Sequence, residues 1–159
     1  MLLINPKTIS RIAAVQSIYC HYATNLEINK VISDLKEFYT TEKIKHNDEL
    51  VALKFNQAYF IELTNSTINN IKFIDDLIGP NLTKGFILAK LHLTLSSIIR
   101  VGIAELCYFP QAPFKVVINE FTNIAGSMLA ENEVAFVNSL LQNISNINKE
   151  NLLNDNPFV

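Results

Sequence analysis

The apolar positions of this chain recur at three- and four-residue intervals over long stretches, the spacing of one buried helix face. Asn5-Pro6 has the form of a helix start, with Asn as cap and Pro at the first helical position. After it, Ile12, Val15, Tyr19 and Tyr22 keep the period and are expected to face inward, leaving Lys7, Arg11, Ala14, Ile18 and His21 on the other side. A second helix fits Ile28, Val31, Ile32, Leu35, Phe38 and Tyr39. Residues 40–46 read as a polar loop. Asn47 then caps a third run, in which Leu50, Leu53, Ala58, Ile61, Ile68, Ile71, Ile74 and Ile78 keep a rough helical period. That run is expected to bend near Asn65, Ser66 and Thr67 and to end at Gly79-Pro80, with Gly as a left-handed cap. The stretch from Leu82 to Leu88 suits one or two turns of helix.

Residues 90–108 are apolar on most sides, which marks a helix at the centre of a core. Gly102 inside it costs about 1 kcal/mol of helix propensity relative to Ala, and its expected use is the close approach of a neighbouring helix. Pro110 and Pro113 stop the run, because each lacks an N–H and each turns the preceding residue away from helix. Two further helices follow, one over 114–129 with Val117, Phe121, Ile124, Ala125 and Met128 inward, the other over 132–147 with Val134, Val137, Leu140, Leu141 and Ile144 inward. The polar tail 148–159 is expected to fray. No strand pattern lasts and no repeat is visible. The reading is an all-α fold, a single domain over 1–159 with subdomains of about 1–80 and 81–147. It contains more than about 65% helix, against 30–35% for an ordinary domain.

Composition narrows the function classes. At 159 residues and 49% hydrophobic, with a mean hydropathy of +0.20, the chain is able to bury a sizeable core. The formal net charge of −2 argues against a protein that simply coats nucleic acid. Its distribution is uneven: from Met1 to Leu26 the only charged side chains are Lys7 and Arg11, and the first acid is Glu27, whereas acids dominate from Glu131 onward. A weakly basic head and an acidic tail suit a protein that presents one face to a polyanion. The start, MLLINPKTIS, is too short an apolar run for a signal peptide, and no stretch is long enough to span a bilayer, so a cytoplasmic protein is expected. Cys20 and Cys107 have no metal or disulfide spacing and read as buried thiols.

No catalytic set stands out. There is no glycine-rich phosphate loop, nucleophile elbow or zinc-type histidine pair. Cys20 and His21 are adjacent and so point about 100° apart on a helix. Asn119-Glu120 has no accompanying nucleophile. The chain reads as a non-enzyme without metal or cofactor. The candidate nucleic-acid surface begins with Lys7 and Arg11, four apart on one helix face near a helix N-terminus. Gln16 is placed to read a base edge, and Phe136, off the inward stripe of the last helix, is placed to stack on a base. Arg100, inside an apolar helix, calls for a carboxylate partner. Glu105 is poorly spaced for that, and Glu120 or Glu62 from another helix is better placed.

The wording of residues 96–141 is also familiar. "IIRVGIAEL", "PFKVVINEFTNIA" and "AFVNSLL" resemble the C-terminal half of the NusB family of bacterial transcription antitermination factors, and "ISRIAAVQSIYCHY" resembles the family's first helix. The resemblance implies an all-α fold of two packed three-helix bundles with about seven helices. It implies binding of the boxA segment of ribosomal RNA leaders together with NusE, a ribosomal protein, and entry into the RNA polymerase antitermination complex. By position it puts RNA-binding residues at Lys7, Arg11, Gln16, Phe136 and Asn138, and the NusE contact at Tyr19 and Leu95. Arg100, Asn119 and Glu120 fall on the family's "ILR" and "INE" elements as structural residues. Departures from the pattern, such as Gly126 for the usual lysine and apolar Leu93 and Leu95 for a charged position, imply weaker phosphate contact and an altered NusE surface. Three alternatives carry the same fold: an interaction module with lost or weak RNA affinity, an RNA-recognition domain like those fused to ribosomal RNA cytosine methyltransferases, and a homodimer that hides the RNA surface.

Overall fold

A computed structural model describes residues 5–82 and 87–153. Among them are seven α-helices: α1 (Pro6–Thr24), α2 (Ile28–Thr41), α3 (Gln57–Asn69), α4 (Ile71–Asn81), α5 (Leu93–Tyr108), α6 (Phe114–Met128) and α7 (Glu131–Leu153). A hairpin, β1 (Lys43–His46) and β2 (Glu49–Ala52), and one 3-10 turn at Leu88–Lys90 complete the set. Helix accounts for 78% of the structure, and the expected all-α class holds. Residues 83–86, in the segment expected to form a short helix, lie outside the described residues. The chain divides into two compact units, Met1–Asn65 and Ser66–Val159, with the division inside α3.

In the first unit α1 starts as the sequence implies. Asn5 accepts the Lys7 N–H at 2.9 Å, and Pro6 occupies the first helical position. Its buried face is broader than expected: Val15 is buried and Lys7 exposed as expected, but Arg11, Ala14 and Ile18, expected outside, are buried with Ile9, Ser10, Ala13 and Ser17, while Tyr19 is 44% exposed and Tyr22 is exposed too. The reason is size. Ser and Ala side chains let a neighbouring backbone come close, and the Ser10 hydroxyl donates to the Asn56 carbonyl at 2.7 Å. On α2, Val31, Ile32 and Tyr39 are buried as expected, but Phe38 is exposed.

The expected loop at 40–46 and helix cap at Asn47 give way to an antiparallel hairpin, paired Lys43↔Ala52 through His46↔Glu49. Its turn residues Asn47 and Asp48 have φ of 49° and 66°. That left-handed pair matches the twist of a two-residue hairpin, and Asn and Asp tolerate it better than other side chains. Leu50, expected to open the apolar period of a helix, is 71% exposed in β2. The helical run then breaks at Asn70 and passes through Gly79-Pro80, so Gly79 is not a left-handed cap. Pro80 falls in the last turn of α4, and the helix stops one residue later.

In the second unit α5 is the central helix, packed against α4, α6 and α7. Ile98, Ile99, Val101, Ile103, Ala104 and Leu106 are buried. Gly102 serves the purpose its sequence context implies: a Cβ there would lie 3.1 Å from both Leu141 methyls and 3.3 Å from the Phe121 ring. The inward stripes of α6 and α7 hold at Val117, Phe121, Ile124, Ala125, Val137, Leu140, Leu141 and Ile144, but Met128 is exposed at the end of α6. The tail expected to fray from 148 is helical through Leu153. Asn148 explains the extension: buried, it donates to the Leu106 carbonyl at 2.9 Å, one of the last-turn acceptors α5 leaves open. Residues 154–159 lie outside the described residues.

Candidate functional site

The α1 candidates separate by environment. Lys7 is exposed, with its ammonium 5.0 Å from the Tyr59 ring centroid. Arg11 is only 3% exposed, its guanidinium 5.6 Å from the same ring. The two cations therefore share an aromatic support but not a solvent face. Gln16 is half-buried, and its side-chain oxygen accepts the Tyr39 hydroxyl at 2.5 Å, which ties α1 to α2. Burial raises the Tyr39 pKa above its ordinary value, against the opposing pull of that bond. Tyr19 presents its ring to solvent.

In the second unit Leu95 and Phe136 come together. Both line a groove of about 240 Å³ with Ile87, Lys90, His92 and Glu133, between the start of α5 and the first turns of α7. Leu95 is 3% exposed and forms its floor, while Phe136 is half-buried at its wall. His92 caps α5: its Nδ1 accepts the Leu95 N–H at 3.3 Å. The ring proton is thereby left on Nε2, which donates to Glu133 Oε1 at 2.7 Å. The other Glu133 oxygen accepts the Ala130 N–H at 3.2 Å, the reach-back of a capping box at the start of α7. One carboxylate thus joins the two helix starts that border the groove.

The Glu133 carboxyl is held below its ordinary pKa, chiefly by the His92 hydrogen bond, with partial burial opposing and the Ala130 N–H assisting. A carboxyl depressed by folding stabilises the structure above its unfolded pKa, and the contribution is lost as pH falls through the folded value. The His92–Glu133 hydrogen bond therefore stabilises the fold at neutral pH, and that contribution is lost as acid protonates Glu133. An NMR titration should place the Glu133 midpoint below that of an ordinary Glu, and His92→Ala should move it back up. A midpoint indifferent to His92→Ala would remove the histidine as the cause.

The remaining candidates fall elsewhere in this unit. Arg100 forms a bidentate pair with Asp75 of α4, Nε to Oδ1 at 2.8 Å and Nη2 to Oδ2 at 3.0 Å. The carboxylate is Asp75, rather than the Glu120 or Glu62 that the sequence suggested, because α4 packs against α5 and brings Asp75 to the guanidinium. Glu120 is half-buried and Asn119 exposed. Asn138 is two residues past Phe136, so about 200° around α7, and with Asn119 it lines a second groove between α6 and α7. His92 and Glu133 carry the geometry of the first groove and left no trace in the sequence, since they are 41 residues apart. Burial pushes the Cys107 thiol pKa up to about 12, which disfavours the nucleophilic thiolate. Among the described residues no cluster suits a metal ion, and no helix is long and apolar enough to cross a membrane.

Comparison with known proteins agrees with this architecture. The sequence model of the NusB family matches residues 8–146. A relative from Rickettsia bellii, a transcription antitermination protein NusB, is 37% identical over 147 residues, covering 92% of this chain and 94% of its own. Among solved structures, T. maritima NusB superposes with a TM-score of 0.71 at 20% identity, over 91% of this chain and 93% of that one. A structure of antitermination factors NusB and NusE in complex with double-stranded RNA gives a TM-score of 0.74 at 19% identity, over 91% and 99%.

Proposed function

Since the chain belongs to the NusB family, we propose that it is a transcription antitermination factor. In this reading it binds boxA-type ribosomal RNA leader together with NusE and joins the RNA polymerase antitermination complex in the cytoplasm. It works as a binding protein rather than an enzyme. The observation that carries the reading is the groove between α5 and α7, where a half-buried aromatic, Phe136, stands beside an apolar floor at Leu95. An aromatic wall accepts a base face, and an apolar floor accepts a protein side chain. Lys7 supplies a phosphate contact from α1, with Arg11 beneath it holding the Tyr59 ring in place. Gln16 steadies that helix through Tyr39, Asn138 adds a polar contact, and Tyr19 offers an exposed ring to NusE.

The burial of Arg11 favours one second reading, an interaction module of the same fold with weak RNA affinity, because Lys7 is then the exposed cation on the α1 start. Equilibrium binding of a boxA-type RNA across a salt series, with and without NusE, separates the two. The antitermination reading expects binding that is tighter with NusE and tighter for boxA than for an unrelated strand. It also expects Lys7→Ala to lower the salt slope by about 0.7. NusE binding without any gain in RNA affinity would favour the interaction module.

A further inference from the structure

The groove between α6 and α7 shares only Asn138 with the RNA contacts proposed above, and it is lined by cations, carboxamides and an aromatic ring. It encloses about 300 Å³ and carries two cations, Lys115 and Lys149, with no carboxylate among its lining residues. Three carboxamides project into it: Asn119 from α6, and Asn138 and Gln142 from α7. Phe114 forms one end, with the Lys149 ammonium 5.6 Å from its ring centroid. The α7 ridge from Asn138 to Lys149 covers eleven helical steps, about 16 Å, which is more than one nucleotide requires.

We propose that the α6–α7 groove is a second RNA subsite, which takes a single-stranded flank of the same RNA that occupies the first site. The inference rests on the RNA-binding reading above. Lys115 and Lys149 are point charges for successive phosphates. A carboxamide presents a donor and an acceptor side by side, the pattern a base edge offers in return. The carboxylates of an acidic peptide accept only and would use just the donor half of each amide, whereas a base edge uses both halves, so three amides between two lysines fit RNA better. Two of the three amides are held only loosely at home. The contacts of Gln142 with Ser145 and Asn146 are both 3.4 Å, and Thr122 reaches the Asn138 oxygen at 3.5 Å, all at the long limit of a hydrogen bond. Lys149, parked over Phe114, keeps its charge at the groove mouth, and a base that stacks on the ring moves the ammonium toward a phosphate.

The test uses the whole chain with NusE, a boxA-type RNA core, and the same core extended by uridines at either end. Wild type is expected to bind an extended RNA at least tenfold tighter than the core. In the double variant Lys115→Ala/Lys149→Ala the core should bind as before and the gain from extension should vanish. The salt slope on the extended RNA should fall by about 1.4, at 0.7 for each lost contact. Lys115→Arg/Lys149→Arg should keep the gain, and equal thermal midpoints in all three proteins would exclude misfolding. A gain from extension that persists in the alanine variant overturns the subsite while the core site stands, as does the absence of any gain in wild type. Failure of wild type to bind even the core would reject the RNA reading as a whole. Binding of polyglutamate, lost in the double variant while the extended RNA is unaffected, would reassign the groove to an acidic protein partner.

Discussion

Phe121→Ala is expected to cost the fold about 3–5 kcal/mol. The side chain is fully buried on α6, and its ring faces α5 at Gly102, where no side chain is available to swing into the space it would leave. Leu141 fills the other side of the same contact, so the cavity is bordered by two rigid helices and collapses poorly. Against a total stability of 5–15 kcal/mol for an ordinary domain, a loss of that size would lower a urea midpoint severely. Leu140→Ala, on the neighbouring stripe of α7, should cost about 2–5 kcal/mol. Denaturation midpoints close to wild type in both variants would mean that the α5–α6–α7 faces are misassigned.

The second large effect concerns RNA. Phe136→Ala should weaken binding of a boxA-type RNA in the presence of NusE by about 1–3 kcal/mol, the range for a base stacked on an aromatic ring. The salt slope should hardly change, since no phosphate contact is lost. Lys7→Ala should do the reverse, reducing the slope with a similar loss for every RNA sequence. The ring is only half-buried beside the His92–Glu133 pair, so its removal leaves the fold in place and isolates the binding effect. Unaltered affinity in Phe136→Ala, with the protein folded, would sink the stacking role.

The helices of the second unit were legible because their apolar stripes are made of large side chains at regular spacing. Val117, Phe121, Val137, Leu140 and Ile144 announce their faces directly. Gly102 announced a close approach for the opposite reason, as the one residue in an apolar helix with nothing to pack. The first helix misled in part: Ser10, Ala13, Ala14 and Ser17 are buried beside Ile9, Val15 and Ile18, and hydropathy gives the small residues little weight against two tyrosines. The hairpin was missed because its turn, Asn47-Asp48, lacks the glycine that marks most such turns, and because neither strand has a buried face to impose alternation.

The candidate site was legible in part. Leu95 was picked out for a protein contact and Phe136 for RNA, and the structure brings the two into one groove. The groove's geometry depends on His92 and Glu133, and Arg100 found its carboxylate in Asp75, 25 residues back. Pairings between elements so far apart leave no periodic signal. Nor does hydropathy separate an exposed Lys7 from a buried Arg11 one helical turn later, since the two differ only in what lies above them.

The hairpin offers a practical handle. All eight strand residues face solvent, and a two-stranded ribbon with no covered face adds little to the stability of its surroundings. A dye or a short peptide tag spliced between Asn47 and Asp48 should leave the melting behaviour of the parent protein unchanged. The labelled chain would then report assembly with RNA and NusE by fluorescence, from residues that line neither groove.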